Sequence, residues 1–177
     1  MLKGDYKIKK LKGKDVDALK MLGRTGHVQK DVLKDYTGIS DNRINTLKNL
    51  DYLREVYDNN SDVKYLRLTK EGRDFVHEQL GVVCYKSNAP VHDSQIVEYY
   101  MHMTREEQDS WRTETELHQI IKDDLGRDDV SPTDFSYVSG GEVIYVEIIT
   151  SNYSNGQIEE KIEFVEAMGG TYEEIRM

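Results

Sequence analysis

Apolar residues recur at helical spacing through the first eighty positions and twice give way to strand-like runs. Asp15 stands where a helix cap is expected, ahead of Val16, Leu19 and Leu22 on one face, and Gly23 and Gly26 break the pattern. Val28, Val32, Leu33 and Tyr36 define a second helix, after which Gly38 turns the chain. Ser40 is a good N-cap for a third, with Ile44 and Leu47 facing inward and Leu50 near its end. Asn42, Arg43, Asn45, Thr46, Lys48 and Asn49 are left for its other faces. Strands at 53–57 and 63–68 flank the turn-forming residues 58–62, and Thr69 caps a fourth helix carrying Phe75, Val76 and Leu80. A short basic strand or arm, residues 6–11, precedes all of these.

The pattern changes beyond residue 80. Residues 81–90 read as a linker, although 82–85 are apolar enough to add a strand. Ile96, Val97, Tyr100 and Met101 mark a helix over about 92–103, and Thr104 with Glu107 forms a capping box. A helix over 111–124, strands at 133–138 and 143–149 joined by Gly140-Gly141, a helix over 156–168 and a strand at 171–176 follow. The expectation is an α+β protein of two domains, 1–84 and 91–177, the second an α-β-β-α-β unit.

Charge divides the chain at the same place. Residues 1–84 hold 17 lysines and arginines against 13 acids, and residues 85–177 hold 7 against 20, which together give the net charge of −9. A basic half can neutralise phosphates, whereas an acidic half repels them unless its carboxylates hold cations. Two solvated surfaces of different composition would look the same. Cys84 is the single cysteine, which excludes a disulfide framework and a cysteine-rich zinc site. No apolar run reaches membrane-spanning length and the first residues do not read as a signal peptide, so a cytoplasmic protein is expected, with no membrane partner.

Helix, helix, helix, hairpin, helix, ending in Tyr65-Leu66-Arg67-Leu68-Thr69-Lys70-Glu71-Gly72, resembles the winged-helix family over roughly residues 6–80. The resemblance implies double-stranded DNA as partner, with the third helix in the major groove. There Arg43 would read guanine and Asn42 or Asn45 adenine, with Thr46 and Lys48 on the same helix. Lys64, Arg67 and the arm lysines would meet phosphates. An arrangement used only for protein contacts is the bland alternative, as is simple solubility for each lysine.

In the second half, Glu147 interrupts the apolar run 143–149, and a carboxylate in a buried strand is costly unless paired or metal-bound. If Gly140-Gly141 is a two-residue hairpin loop, Ser139 pairs with Glu142, and stepping back along both strands brings Asp134 opposite Glu147. Their Cβ atoms would lie about 5 Å apart, with like charges that need a cation or a proton between them. At about 100° per residue, Glu114 falls within the apolar arc of Leu117, Ile120 and Ile121, and Glu116 outside it. Lys161 lies likewise between Val165 and Met168 on the inner face of the later helix. Three carboxylates and a lysine so placed suit Mg²⁺ or Mn²⁺ and phosphodiester chemistry.

This half resembles the PD-(D/E)XK nuclease superfamily, with Pro132-Thr133-Asp134 as its Pro-Asp element, Glu147 as the strand acid and Glu114 as the acid of the first helix. Joined to a winged helix, it resembles the replication-relaxation family of bacterial mobile elements, through Val91-His92-Asp93, Trp111-Arg112-Thr113-Glu114, Pro132-Thr133-Asp134 and Val146-Glu147. Departures are plain. The superfamily's lysine position is Ile149, which leaves Lys161 as a migrated replacement, Thr133 splits the Pro-Asp pair, and the sheet is a strand short.

Three functions compete. One is a DNA-binding protein of a plasmid, phage or transposon with a degenerate nuclease-like half that self-associates or binds a protein. Another is a metal-dependent DNA-cleaving enzyme using Glu114, Asp134, Glu147 and Lys161, with Asp134 and Glu147 as metal ligands. The third is a protein-interaction module without DNA. His92, His102 and His118 show no ligand spacing and read as ordinary surface or core histidines.

Overall fold

The computed structural model describes residues 11–58, 63–87, 89–126 and 130–177. Most of the basic arm and most of the first hairpin's turn, expected at 6–11 and 58–62, lie outside the described residues. The architecture is α+β. Helix α1 (Gly13–Thr25) is followed by the short strand β1 (Val28–Gln29), then α2 (Lys30–Thr37) and α3 (Asp41–Asn49). Strands β2 (Leu53–Tyr57) and β3 (Lys64–Leu68) lead to α4 (Lys70–Leu80), and the antiparallel sheet runs β1-β3-β2.

Capping explains several of these boundaries. Ser40 accepts from the Arg43 amide at the start of α3, and Thr69 accepts from the Gly72 amide at the start of α4, both as expected. The start of α1 differs. Lys12 is the N-cap, and Asp15, three residues in, reaches back to accept the Lys12 N–H at 2.8 Å. Gly23 does not break this helix but lies inside it, against Val76, Val82 and Cys84. Val28 leaves the second helix for β1, where its β-branched side chain packs in a strand paired with Leu66. At Gly72 the chain passes so close to Tyr52 that a Cβ would stand 2.1 Å from its carbonyl oxygen.

Residues 81–87 join neither a helix nor a sheet, but they are not a loose tether. Val82 and Tyr85 are buried, and the Tyr85 amide donates to the Gly23 carbonyl at 2.7 Å. Beyond them come α5 (Pro90–His102), α6 (Arg105–Asp109), β4 (Arg112–Thr113) and α7 (Glu114–Ile120), which continues into a π-helical turn, Ile121–Leu125. Then follow β5 (Phe135–Ser139), β6 (Glu142–Ile149), α8 (Asn155–Met168) and β7 (Thr171–Arg176). Their sheet runs β4-β5-β6-β7, antiparallel except for the parallel pair β6 and β7.

The helix expected from residue 111 starts three residues later. Thr113 takes the capping role, Arg112 and Thr113 pair with Ser136 and Phe135, and Trp111 stacks on Phe135 with ring centroids 4.1 Å apart. β4 thus supplies the strand that the sequence pattern lacked.

One buried cluster runs without a break from Leu19 and Leu22 of α1, through Val97 and Tyr100 of α5, to Trp111, Phe135 and Val146. A smaller one gathers Leu117, Ile121, Tyr145, Phe164 and Val165 between α7, β6 and α8. Polar contacts also join the halves, among them Arg24 Nη1 donating to the Tyr100 hydroxyl at 3.2 Å and Arg105 on Asp17 at 3.1 Å. Among the described residues no helix is long and apolar enough to cross a membrane.

Candidate acidic site and nucleic-acid interface

The β5–β6 hairpin has the register that its glycines dictate. Gly140 and Gly141 both take positive φ, as a two-residue loop of the primed type requires, and Ser139 pairs with Glu142. Continuing that register beyond Phe135↔Val146 brings Asp134, one residue ahead of β5, opposite Glu147. The two acids clasp each other's backbone. The Asp134 amide donates to Glu147 Oε2 at 3.0 Å, and the Ile148 amide donates to Asp134 Oδ2 at 2.8 Å.

The repulsion expected between these carboxylates is met by side chains. Lys161 of α8, 7% exposed, lies 3.2 Å from Glu147 Oε1 and donates to Ser131 Oγ at 3.0 Å and to the Pro132 carbonyl. Tyr153 donates its hydroxyl to the same Glu147 oxygen at 2.6 Å. On the other side His92 Nε2 stands 3.3 Å from Asp134 Oδ2. Glu114 opens α7 with its amide donating to the Asp134 carbonyl at 2.9 Å, its side chain half-buried at the rim. All four residues expected from the pattern therefore converge on one place.

Burial, reinforced by Asp134, pushes the Glu147 carboxyl up to about 7 against the pull of Lys161 and Tyr153. Glu114 is raised for the same two reasons, burial first and Asp134 second. Burial works to lower His92, but its bonds to Asp134 and Asp93 outweigh it and hold the imidazole up at about 10. The arrangement thus sets a carboxyl that exchanges its proton near neutrality beside an ammonium and an imidazolium.

Mg²⁺ or Mn²⁺ would need several free oxygen ligands. Three of the four oxygens of Asp134 and Glu147 already accept hydrogen bonds or face a cation, and among the described residues no three His, Cys, Asp or Glu side chains are grouped to hold an ion. As arranged, the donor set does not fit a resident metal.

His92 and Tyr153 are the residues that sequence reasoning missed. His92 sits in the first turn of α5, and its only signal was its place in the Val91-His92-Asp93 string. Tyr153 comes from the turn between β6 and α8, and nothing in the sequence marked it. Next to His92, Asp93 is fully buried. Its Oδ2 accepts from the His27 amide at 3.0 Å and from Ser87 Oγ at 2.6 Å, and lies 2.8 Å from His27 Nδ1. Gly26, at φ 87°, leaves room for it, since a Cβ there would come within 2.5 Å of that oxygen.

The residues expected to meet DNA divide into two groups. Asn42 and Asn45 are exposed on α3 in line with Asn49, and Lys64 is exposed on β3 with its ammonium 5.5 Å from the Tyr57 ring centroid. Thr46 donates to the Asn42 carbonyl at 2.8 Å, and Lys48 is ion-paired with Glu55 at 2.8 Å. Two arginines turn inward. Arg43 grips Asp15 through Nε at 3.0 Å and Nη2 at 2.6 Å, so its fork is committed within the fold rather than free for a guanine. Asp15 is 1% exposed, and although burial works to raise its carboxyl, Arg43 and the Lys12 amide hold it below the usual value. Arg67 points into a cavity between the halves.

Compared with protein-family models, with curated proteins and with solved structures, the chain matches none.

Proposed function

We propose that the protein binds double-stranded DNA through its N-terminal half, as a winged-helix domain, and serves the replication, transfer or regulation of a mobile element. The observation that carries this reading is the exposed asparagine row of α3, Asn42, Asn45 and Asn49, beside a hairpin that carries Lys64. Asparagine side chains at that spacing present paired donors and acceptors suited to adenine edges. The half that bears them is also the basic one. In this reading the PD-(D/E)XK-like half is degenerate, its acids neutralised internally by Lys161 and His92, and it serves self-association or a protein partner. Fluorescence anisotropy with labelled duplexes of varied sequence, at several salt concentrations, tests the proposal. No duplex binding at low salt would overturn it.

The convergence of Glu114, Asp134, Glu147 and Lys161 favours a second reading, a divalent-metal-dependent nuclease targeted by the same N-terminal half. It requires the ion to displace Lys161, Tyr153 or His92 from the carboxylates. Supercoiled plasmid with Mg²⁺ or Mn²⁺, wild type beside Asp134→Ala, separates the two readings. Nicking by the wild type alone supports the enzyme, and intact plasmid in both supports the binding protein.

A further inference from the structure

Between the halves, on the side of β3 that carries Arg67, lies a cavity of about 460 Å³. Among the described residues three cations line it, each from a different part of the chain: Arg67 of β3, Arg73 of α4 and Lys86 of the segment 81–87. Among the described residues no aspartate or glutamate lines it. The acids whose titration these cations influence are outside it. Asp74 is paired with Lys70 at 2.8 Å, and Glu114 faces the acidic site.

Arg67 is the informative member. Its Nε is buried and has no hydrogen-bond partner among the described residues, and the residue across the strand pair is Arg54, another cation. A buried guanidinium donor left unmatched costs free energy that a folded protein rarely leaves uncompensated. Among the described residues the Arg73 guanidinium makes only a long bond of 3.4 Å, from Nη1 to the Leu68 carbonyl. None of the three cations is in an ion pair among the described residues. Cations from three elements held around one space, without a carboxylate, are complementary to an anion with several acceptor oxygens. Thr115 adds a hydroxyl to the wall, while Leu22 and Tyr85 give it an apolar side. The volume admits a group as large as a nucleotide.

We propose that this cavity binds a phosphate group, presented either by a free nucleotide or by a DNA strand. The assignment stands on the cavity and does not rest on the asparagine row of α3. The test is calorimetric titration of the full chain with inorganic phosphate, with ATP and with a 5′-phosphorylated duplex. Wild type is compared with the double variant Arg73→Gln/Lys86→Gln and with Lys14→Gln/Arg112→Gln, which removes the same charge outside the cavity. Arg73 and Lys86 are exposed, so the double variant leaves the core intact.

At least one probe is expected to bind the wild type and to bind the cavity variant about tenfold more weakly, as the loss of charge-assisted bonds implies, while the control variant binds as the wild type does. Binding of phosphate or ATP identifies a free ligand, and binding of the duplex alone identifies a strand-borne one. The proposal is overturned if no probe binds, or if the cavity variant and the charge control behave alike. The α3 reading fails separately, if no duplex binds while phosphate or ATP still distinguishes the cavity variant from the wild type.

Discussion

Glu147 and His92 are raised in opposite chemical contexts, so their effects on stability fall in different pH windows. Glu147 titrates at about 7 in the fold against an ordinary 4.5. Between those values the folded state keeps a proton that the unfolded chain has released, so stability falls as pH rises from 4.5 to 7. The folded pKa of His92 is about 10 against 6.5, so its contribution is complete below 6.5 and is lost as pH rises through 10. Thermal melts across pH should therefore show Glu147→Gln flattening the lower window and His92→Gln the upper one. An unchanged slope in either variant would contradict the assigned contacts. Asp15 gives a further residue-scale expectation. Arg43→Ala strands a buried carboxylate and should cost about 3 kcal/mol in urea unfolding. Asn45→Ala should leave unfolding unchanged and weaken duplex binding by about 1–3 kcal/mol if it reads a base.

At the scale of elements, local signals in the sequence were sufficient at several boundaries, though not at Asp15 or Gly23 of α1. Ser40 and Thr69 cap their helices, and Gly140-Gly141 fixes the hairpin register on which the Asp134–Glu147 pairing depends. They were insufficient where a distant partner decided. Val28 is a strand residue because β3 lies beside it, Trp111 is pulled out of a helix by Phe135, and Arg43 turns inward because Asp15 is buried below it. The acidic site was legible as four residues because helical and strand periodicity place them. His92 and Tyr153 were not, because their approach depends on how α5 and the turn after β6 pack. The close passage of Gly72 over Tyr52 also belongs here. Gly72→Ala would set a methyl 2.1 Å from the Tyr52 carbonyl oxygen, and a destabilisation of about 2 kcal/mol or more is expected in a melting experiment.

At the scale of the molecule, the continuous core changes what a cut at residue 84 would do. The sequence pattern and the charge both divided the chain at residue 84, yet Leu19 and Leu22 share their buried cluster with Val97, Tyr100 and Trp111. The full chain is expected to unfold in one transition, with Trp111 fluorescence and far-ultraviolet circular dichroism coinciding in urea. Transitions that separate by probe would show the halves to be independent.

The grip of Asp93 on His27 bears on how such a separation would be seen. The His27 backbone N–H is closed by a carboxylate 66 positions further along the chain, in a place without access to water. An amide locked in this way exchanges its hydrogen for deuterium when the first turn of α5 opens away from the end of α1. The protection of that single amide therefore reports the opening of this contact between the two halves. A ligand that bridges the halves would slow its exchange in proportion to the occupancy of the bridge.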